Sequence, residues 1–122
     1  MIKVPSKVFQ IPISFETVAI IVPSTRRITE PLSAAEAREY VQRTKRFLAE
    51  KFGGATAIPS EGAWITSDGL LVEENTTLVF AFTESLSDEN KEAVFQFCEQ
   101  LRDDLEQGAV LAIINWEPHF IT

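Results

Sequence analysis

The side chains that could do chemistry in this chain are few and scattered. It has one histidine, His119, in the C-terminal "NWEPHFIT". A lone imidazole can act as a general base, but by itself it cannot build a histidine-rich metal site. It has one cysteine, Cys98, so no intrachain disulfide can form. Cys98 falls on an apolar helical stripe, which suits a core thiol better than a nucleophile. Carboxylates gather in "SEGAWITSDGLLVEEN" as Glu61, Glu73 and Glu74, with Trp64 among them. If Asp68 and Gly69 form a two-residue turn, counting back pairs Trp64 with Glu73 and Ala63 with Glu74. A carboxyl against an indole makes a pocket whose apolar walls raise the carboxyl pKa. The plainer reading is an exposed strand edge carrying solubilising acids. Arg26 and Arg27 lie on the first long connection, at the same end of the sheet as the hairpin tip. Two guanidiniums could hold a small anion there, or simply be solvated. The candidate binding set is therefore Arg26, Arg27, Trp64, Glu73 and His119. No Ser-His-acid or Cys-His pattern appears and no zinc spacing does, so no catalytic residue is assigned and neither a metal nor a cofactor is expected.

The elements that must position these groups follow from periodicity. "TVAIIVPS" (17–24) is a branched apolar run suited to a strand buried on both faces. Ser33 and Glu36 make a capping box. Behind it Ala37, Tyr40, Val41, Thr44, Phe47 and Leu48 form one helical stripe. Glu39 stands four residues before Arg43, a supporting pair. Gly53 is placed as the left-handed cap of that helix. Gly62 reads as a possible bulge within a strand, and Asp68-Gly69 as a type I′ hairpin turn. Two long arms, about 55–67 and 70–83, flank that turn. "SDENKEAVFQFCEQLRDDLEQG" is a second helix with Ser87 as N-cap, ended by Gly108, and its stripe is Val94, Phe97, Cys98, Leu101 and Leu105. "AVLAIINW" (109–116) is the last strand, with Trp116 at its end. All five glycines thus read as backbone punctuation, since no phosphate-loop or dinucleotide pattern is present.

The resulting order, βαββαβ, is the ferredoxin-like α+β plan: a four-stranded antiparallel sheet in the order 4-1-3-2 with both helices on one face. A chain of 122 residues is one domain, 1–122, with residues 1–16 as an N-terminal extension. The first helix carries a net positive charge and the second a net negative one. No apolar run is long enough for a membrane span and no signal peptide is apparent, so the expected location is cytoplasmic. A net charge of −7 argues against nucleic acid and anionic membrane as partners.

The first and last strands do not alternate. Val18, Ala19, Ile20, Ile21 and Val22 are all apolar, and so are Ala109 to Ile114. The face away from the helices must then be apolar too, and monomers seldom leave such a patch wet. Its cover would be either the N-terminal segment, with Val8, Phe9, Ile11, Ile13 and Phe15, or a second copy of the chain. A homo-oligomer, most simply a dimer through this face and the hairpin, is the expected partner arrangement.

The string Phe52 to Thr56, Gly62 to Trp64, Asp68-Gly69 and Val72 to Glu74, set in a βαββαβ frame, resembles a group of short bacterial and phage proteins of the domain-of-unknown-function type. The resemblance implies a ferredoxin-like fold and brings no catalytic residues. Two functions stand open. The first is a self-associating, non-catalytic binding or accessory module. The second is a cofactor-independent small-molecule enzyme of the dimeric α/β-barrel type. An enclosed cavity lined by the candidate residues would favour the enzyme.

Overall fold

A computed structural model describes residues 15–122. In chain order the elements are β1 (Glu16–Pro23), β2 (Thr25–Arg26), β3 (Glu30–Pro31), α1 (Ala34–Phe52), β4 (Thr56–Ile65), β5 (Leu71–Thr83), α2 (Asp88–Asp104), β6 (Val110–Ile114) and β7 (Glu117–Ile121).

Local chemistry sets the helix ends. The Ser33 hydroxyl accepts from the Glu36 backbone N–H at 3.1 Å, and the Glu36 carboxylate accepts from the Ser33 N–H at 3.3 Å. The capping box is thus complete, and two orphan donors are satisfied. At the other end Gly53 turns left-handed at φ 91 and donates to the Ala49 carbonyl at 2.8 Å. In α2 the Ser87 hydroxyl accepts from the Asn90 N–H at 3.0 Å. Gly108 does not end this helix. Glu106 takes the positive φ, 51, and Gln107 N–H closes the last turn onto the Arg102 carbonyl at 2.9 Å. Only Gly53 and Gly69 among the glycines sit at positive φ, so the reading of all five as obligatory punctuation is too broad.

The fold is α+β, but the expected four-stranded 4-1-3-2 plan is overturned. The main sheet has five strands in the order β4-β5-β1-β6-β7, and β2 and β3 form a separate two-stranded ribbon. All four neighbouring pairs in the large sheet are antiparallel. The extra strand arises because Asn115 and Trp116, at φ 51 and 68, make a two-residue turn that sends 117–121 back along β6. Positive φ at both positions is the type I′ geometry. Pro118 is tolerated because β7 is an edge strand with one unpaired side. Trp116 is therefore a turn residue, not the end of a strand.

The long hairpin also differs. Asp68 has no positive φ, and Gly69 alone takes φ 86. Thr66 and Leu70 close the loop: Thr66 N–H donates to the Leu70 carbonyl at 2.9 Å, and Leu70 N–H donates to the Thr66 hydroxyl at 3.0 Å. Three residues, Ser67 to Gly69, thus make the turn, where a two-residue type I′ turn was expected. The ladder from Thr56↔Phe80 to Ile65↔Leu71 runs without a bulge at Gly62.

Register sorts the faces. Val18, Ile20 and Val22 of β1 share one face with Val79 and Ala81 of β5 and with Val110, Ala112 and Ile114 of β6. Onto it pack Tyr40, Thr44 and Leu48 from α1 and Val94, Cys98 and Leu101 from α2. Burying each aliphatic side chain contributes about 1.5–3 kcal/mol. Phe47 and Phe97 stack with centroids 4.4 Å apart, which ties the helices together. The opposite face carries Ala19, Ile21, Leu78, Phe80, Leu111 and Ile113, and among the described residues no helix packs over it. The N-terminal cover proposed from Val8, Phe9, Ile11 and Ile13 lies outside the described residues, and Phe15 is exposed. Among the described residues no helix is long and apolar enough to cross a membrane.

Two outcomes test this packing. Trp116 is 77% exposed at φ 68, a conformation that costs a side-chain-bearing residue roughly 1–2 kcal/mol. Trp116→Gly should raise stability in urea by about 1 kcal/mol; a lower midpoint would show that the indole contributes contacts that offset the strain. Cys98 is fully buried, and desolvation, with a smaller contribution from Glu99, pushes its thiol up to about 12. The unfolded chain releases this proton first, at the ordinary thiol value near 9. Stability should thus be whole below that pH and fall between about 9 and 12. Comparing alkaline melts of wild type and Cys98→Ala reads this contribution, and identical pH slopes would refute it.

Candidate functional site

The helix-free face holds a cavity of about 700 Å³. Its floor comes from three adjacent strands: Ile21 of β1, Leu78 of β5 and Leu111 of β6. Aromatic rings stand at either side, Trp64 from β4 and Phe120 from β7. Trp64 is 41% exposed and Phe120 66%, so both present open ring surface. The polar groups come mainly from the hairpin. Glu74 lines the cavity, with Ser60 and Thr76 as a hydroxyl pair 2.8 Å apart, and Glu61 borders it from the strand side that also carries Ala63. Gln107 and Ile28 complete it from two loops.

Alternation explains who faces whom. Gly62 pairs with Glu74 and Trp64 with Val72, on the same side as the Ser60–Thr76 pair. Glu73 pairs with Ala63, on the opposite side of the hairpin from Trp64. The expected Trp64–Glu73 pair is thus replaced by a Trp64–Glu74 grouping, because the three-residue turn shifts the register by one. Glu73 lines a second hollow of about 460 Å³ together with Glu61, Glu74 and Asn75.

The remaining candidates do not converge on the cavity. His119 pairs with Ala112, a residue of the helix-side core, and its ring lies 5.2 Å from Phe95. It is therefore on the far side of the sheet. Arg27 is held by Glu30 at 2.5 Å and Glu106 at 3.2 Å. These carboxylates, Glu30 foremost, raise its pKa. Arg26 reaches Glu36 at 3.8 Å, and a hydrogen bond with Tyr40 is the main cause of its raised pKa. Both guanidiniums have partners within the chain, although their ribbon borders the cavity at Ile28.

Sequence reasoning missed Ile28, Gln107 and Phe120. Phe120 had a signal, since "EPHFI" alternates once it is read as a strand. Ile28 and Gln107 had none, because their place depends on how two distant loops meet. Among the described residues no group of three or more ligand-type side chains could hold a metal ion. The arrangement offers apolar floor, aromatic rings and carboxylates together. That combination suits a flat, largely apolar molecule carrying positive charge, because ring faces attract cations and carboxylates pair with them.

No family model and no curated protein matches the sequence. Two solved structures share its fold. One is a phage SAM lyase in complex with S-methyl-5'-thioadenosine, with a TM-score of 0.65 and 20% identity, covering 88% of this chain and 89% of that one. The other is a phage SAM lyase in the apo state, with a TM-score of 0.61 and 21% identity, covering 88% of both chains. This finding corrects the expectation of a non-catalytic accessory module of unknown function: the fold that the chain shares is that of an enzyme from phage.

Proposed function

We propose that the chain is a lyase acting on S-adenosylmethionine, which it holds on the helix-free face of the sheet. The observation that carries the reading is the cavity on that face, where Trp64 and Phe120 accompany the carboxylate of Glu74. S-adenosylmethionine asks for these features. Its adenine is flat and stacks on aromatic rings, and its sulfonium and ammonium are cations. The net charge of −7 also draws a cation inward. The fold shared with a lyase seen bound to S-methyl-5'-thioadenosine supports the same ligand class.

The chemistry accounts for the missing catalytic constellation. In S-adenosylmethionine the leaving group is a neutral thioether, which needs no general acid. The substrate's own α-carboxylate can attack the γ-carbon. The C–O bond forms, the C–S bond breaks with its electron pair going to sulfur, and S-methyl-5'-thioadenosine leaves beside a lactone. No proton, water or external nucleophile enters the step. Carboxylate and sulfonium charges cancel as the bond forms, so an apolar floor that excludes water favours the step. The protein's tasks are then to bind, fold and desolvate the substrate. Such a substrate is found inside cells, in keeping with a cytoplasmic location, and the phage neighbours accord with the bacterial and phage resemblance.

Incubating the protein with S-adenosylmethionine and separating the products should yield S-methyl-5'-thioadenosine and the lactone. Trp64→Ala should weaken binding of S-methyl-5'-thioadenosine about tenfold or more, the loss of one base–aromatic stack, with little change in melting temperature. A wild type that shows neither turnover of S-adenosylmethionine nor binding at millimolar ligand would refute the reading.

The same face motivates an oligomer. Ile58, Phe82 and Phe120 are exposed on it, and Ile65, Leu70 and Leu71 are exposed at the hairpin tip. We propose that a second copy covers part of this surface. Sedimentation equilibrium at tens of micromolar should give more than 13.7 kDa, and a clean monomer would refute the proposal.

A further inference from the structure

One side of the cavity is a clasp between two loops far apart in sequence. The side-chain amide of Gln107 donates one proton to the Thr25 carbonyl at 2.8 Å and the other to the Arg27 carbonyl at 2.7 Å. Beside it the Arg27 backbone N–H donates to the Leu105 carbonyl at 2.7 Å. The Thr25 hydroxyl also donates to the Arg27 carbonyl, at 3.0 Å. Arg27 and Glu106, neither of them glycine, take left-handed φ of 55 and 51, and their side chains pair at 3.2 Å. Strained residues of this kind persist only where the surroundings over-determine them, and they gather at functional sites.

The ribbon so clasped cannot hold itself. It has two residue pairs, Thr25↔Pro31 and Arg26↔Glu30, far too few for an independent hairpin. At its base Ser24 reaches the Asn75 carbonyl at 2.5 Å and Leu32 N–H reaches the Ser24 carbonyl at 2.9 Å. Its turn is held from outside by the Gln107 amide and the Leu105 carbonyl. The ribbon carries Ile28, which is 56% exposed and lines the cavity rather than the core.

We infer that Gln107 is a positioning residue for ligand recognition: it fixes the β2–β3 ribbon so that Ile28 forms an apolar wall of the cavity. The inference rests on the S-adenosylmethionine reading above. The residue type follows from donor arithmetic. An amide nitrogen offers two protons to two carbonyls, whereas a carboxylate at the same place would face both with acceptors only, and leucine would leave both without this donor.

The test uses Gln107→Glu, Gln107→Leu, Ile28→Ala and the Gln107→Leu/Ile28→Ala double variant. Hydrogen exchange of the 25–31 amides, binding of S-methyl-5'-thioadenosine and turnover of S-adenosylmethionine are measured on each. Both Gln107 variants should speed exchange in the ribbon about tenfold by freeing local opening. They should raise the Kd or KM about tenfold, the scale of one partly buried aliphatic contact, and leave kcat within about threefold. Ile28→Ala should raise Kd alike without changing exchange. The double variant should bind no more weakly than the weaker single, as expected when both act through one wall. Wild-type affinity in the Gln107 variants, or in Ile28→Ala, overturns the inference and leaves the functional reading standing. Should a Gln107 variant fail to fold, Ile28→Ala decides, because its exposed side chain supports little packing. A wild type that binds no S-methyl-5'-thioadenosine overturns both.

Discussion

The ladder between β1 and β5 is the constraint on which the rest of the molecule depends. It pairs eight residues without interruption, from Glu16↔Thr83 to Pro23↔Thr76, and β1 is also paired to β6 on its other side. Period two then sends alternate residues of one apolar run to opposite faces. Val18, Ile20 and Val22 go under the helices. Ala19 and Ile21 go to the other side whether or not anything waits there. The two helices suffice for one face only. The cavity is thus no separate invention: it belongs to the other half of the same hydrogen-bonded pairing that builds the core, which none of the described helices covers.

What could be read from the amino-acid sequence was local. Helix α1 announces itself through Ser33, Glu36 and Gly53, because caps are set by neighbours three or four residues away. The apolar second face was legible too, since an unbroken run has nowhere else to go. Errors came where one residue of register mattered. Asp68-Gly69 fits a two-residue turn as a dipeptide, but Thr66 supplies its hydroxyl to Leu70 N–H and closes a longer loop. That single step exchanged Glu73 and Glu74 relative to Trp64. The fifth strand was hidden by a turn with no glycine and by a proline in the strand itself. Gln107 and Ile28 lay beyond reach for a different reason: the bond from Gln107 to Arg27 spans 80 residues of chain, and no pattern within either loop encodes its partner.

The placement of charge completes the physical picture. The second helix is acidic, and its carboxylate Asp104 reaches Arg43 of the first helix at 3.5 Å, on the helix side of the sheet. Among the described residues the hairpin acid Glu74 has no such cation within bridging distance, and it lines the cavity on the side of Trp64. An unpaired carboxylate at an apolar surface keeps its full attraction for a cation that arrives from solution, and excluding water strengthens it. The basic residues nearest this region, Arg26 and Arg27, are occupied by Glu36, Glu30 and Glu106. Their charge is engaged in these pairs, which hold the ribbon in place.

This division of labour bears on how a chain with one histidine and one buried thiol can belong to a fold that serves an enzyme. Where a reaction moves protons, acids and bases must be tuned against each other, and their spacing leaves a signature in the sequence. Where a reaction only annihilates two charges already present on the substrate, no side chain has to change its protonation state. A protein that served such a reaction would need to contribute only shape, an apolar floor and fixed charge, each of which can be distributed over strands that are also structural. A site of that kind has no motif. Its marks are a sheet face too apolar for its exposure and a strained ribbon too short to stand unaided, and in this chain the two meet at the same cavity.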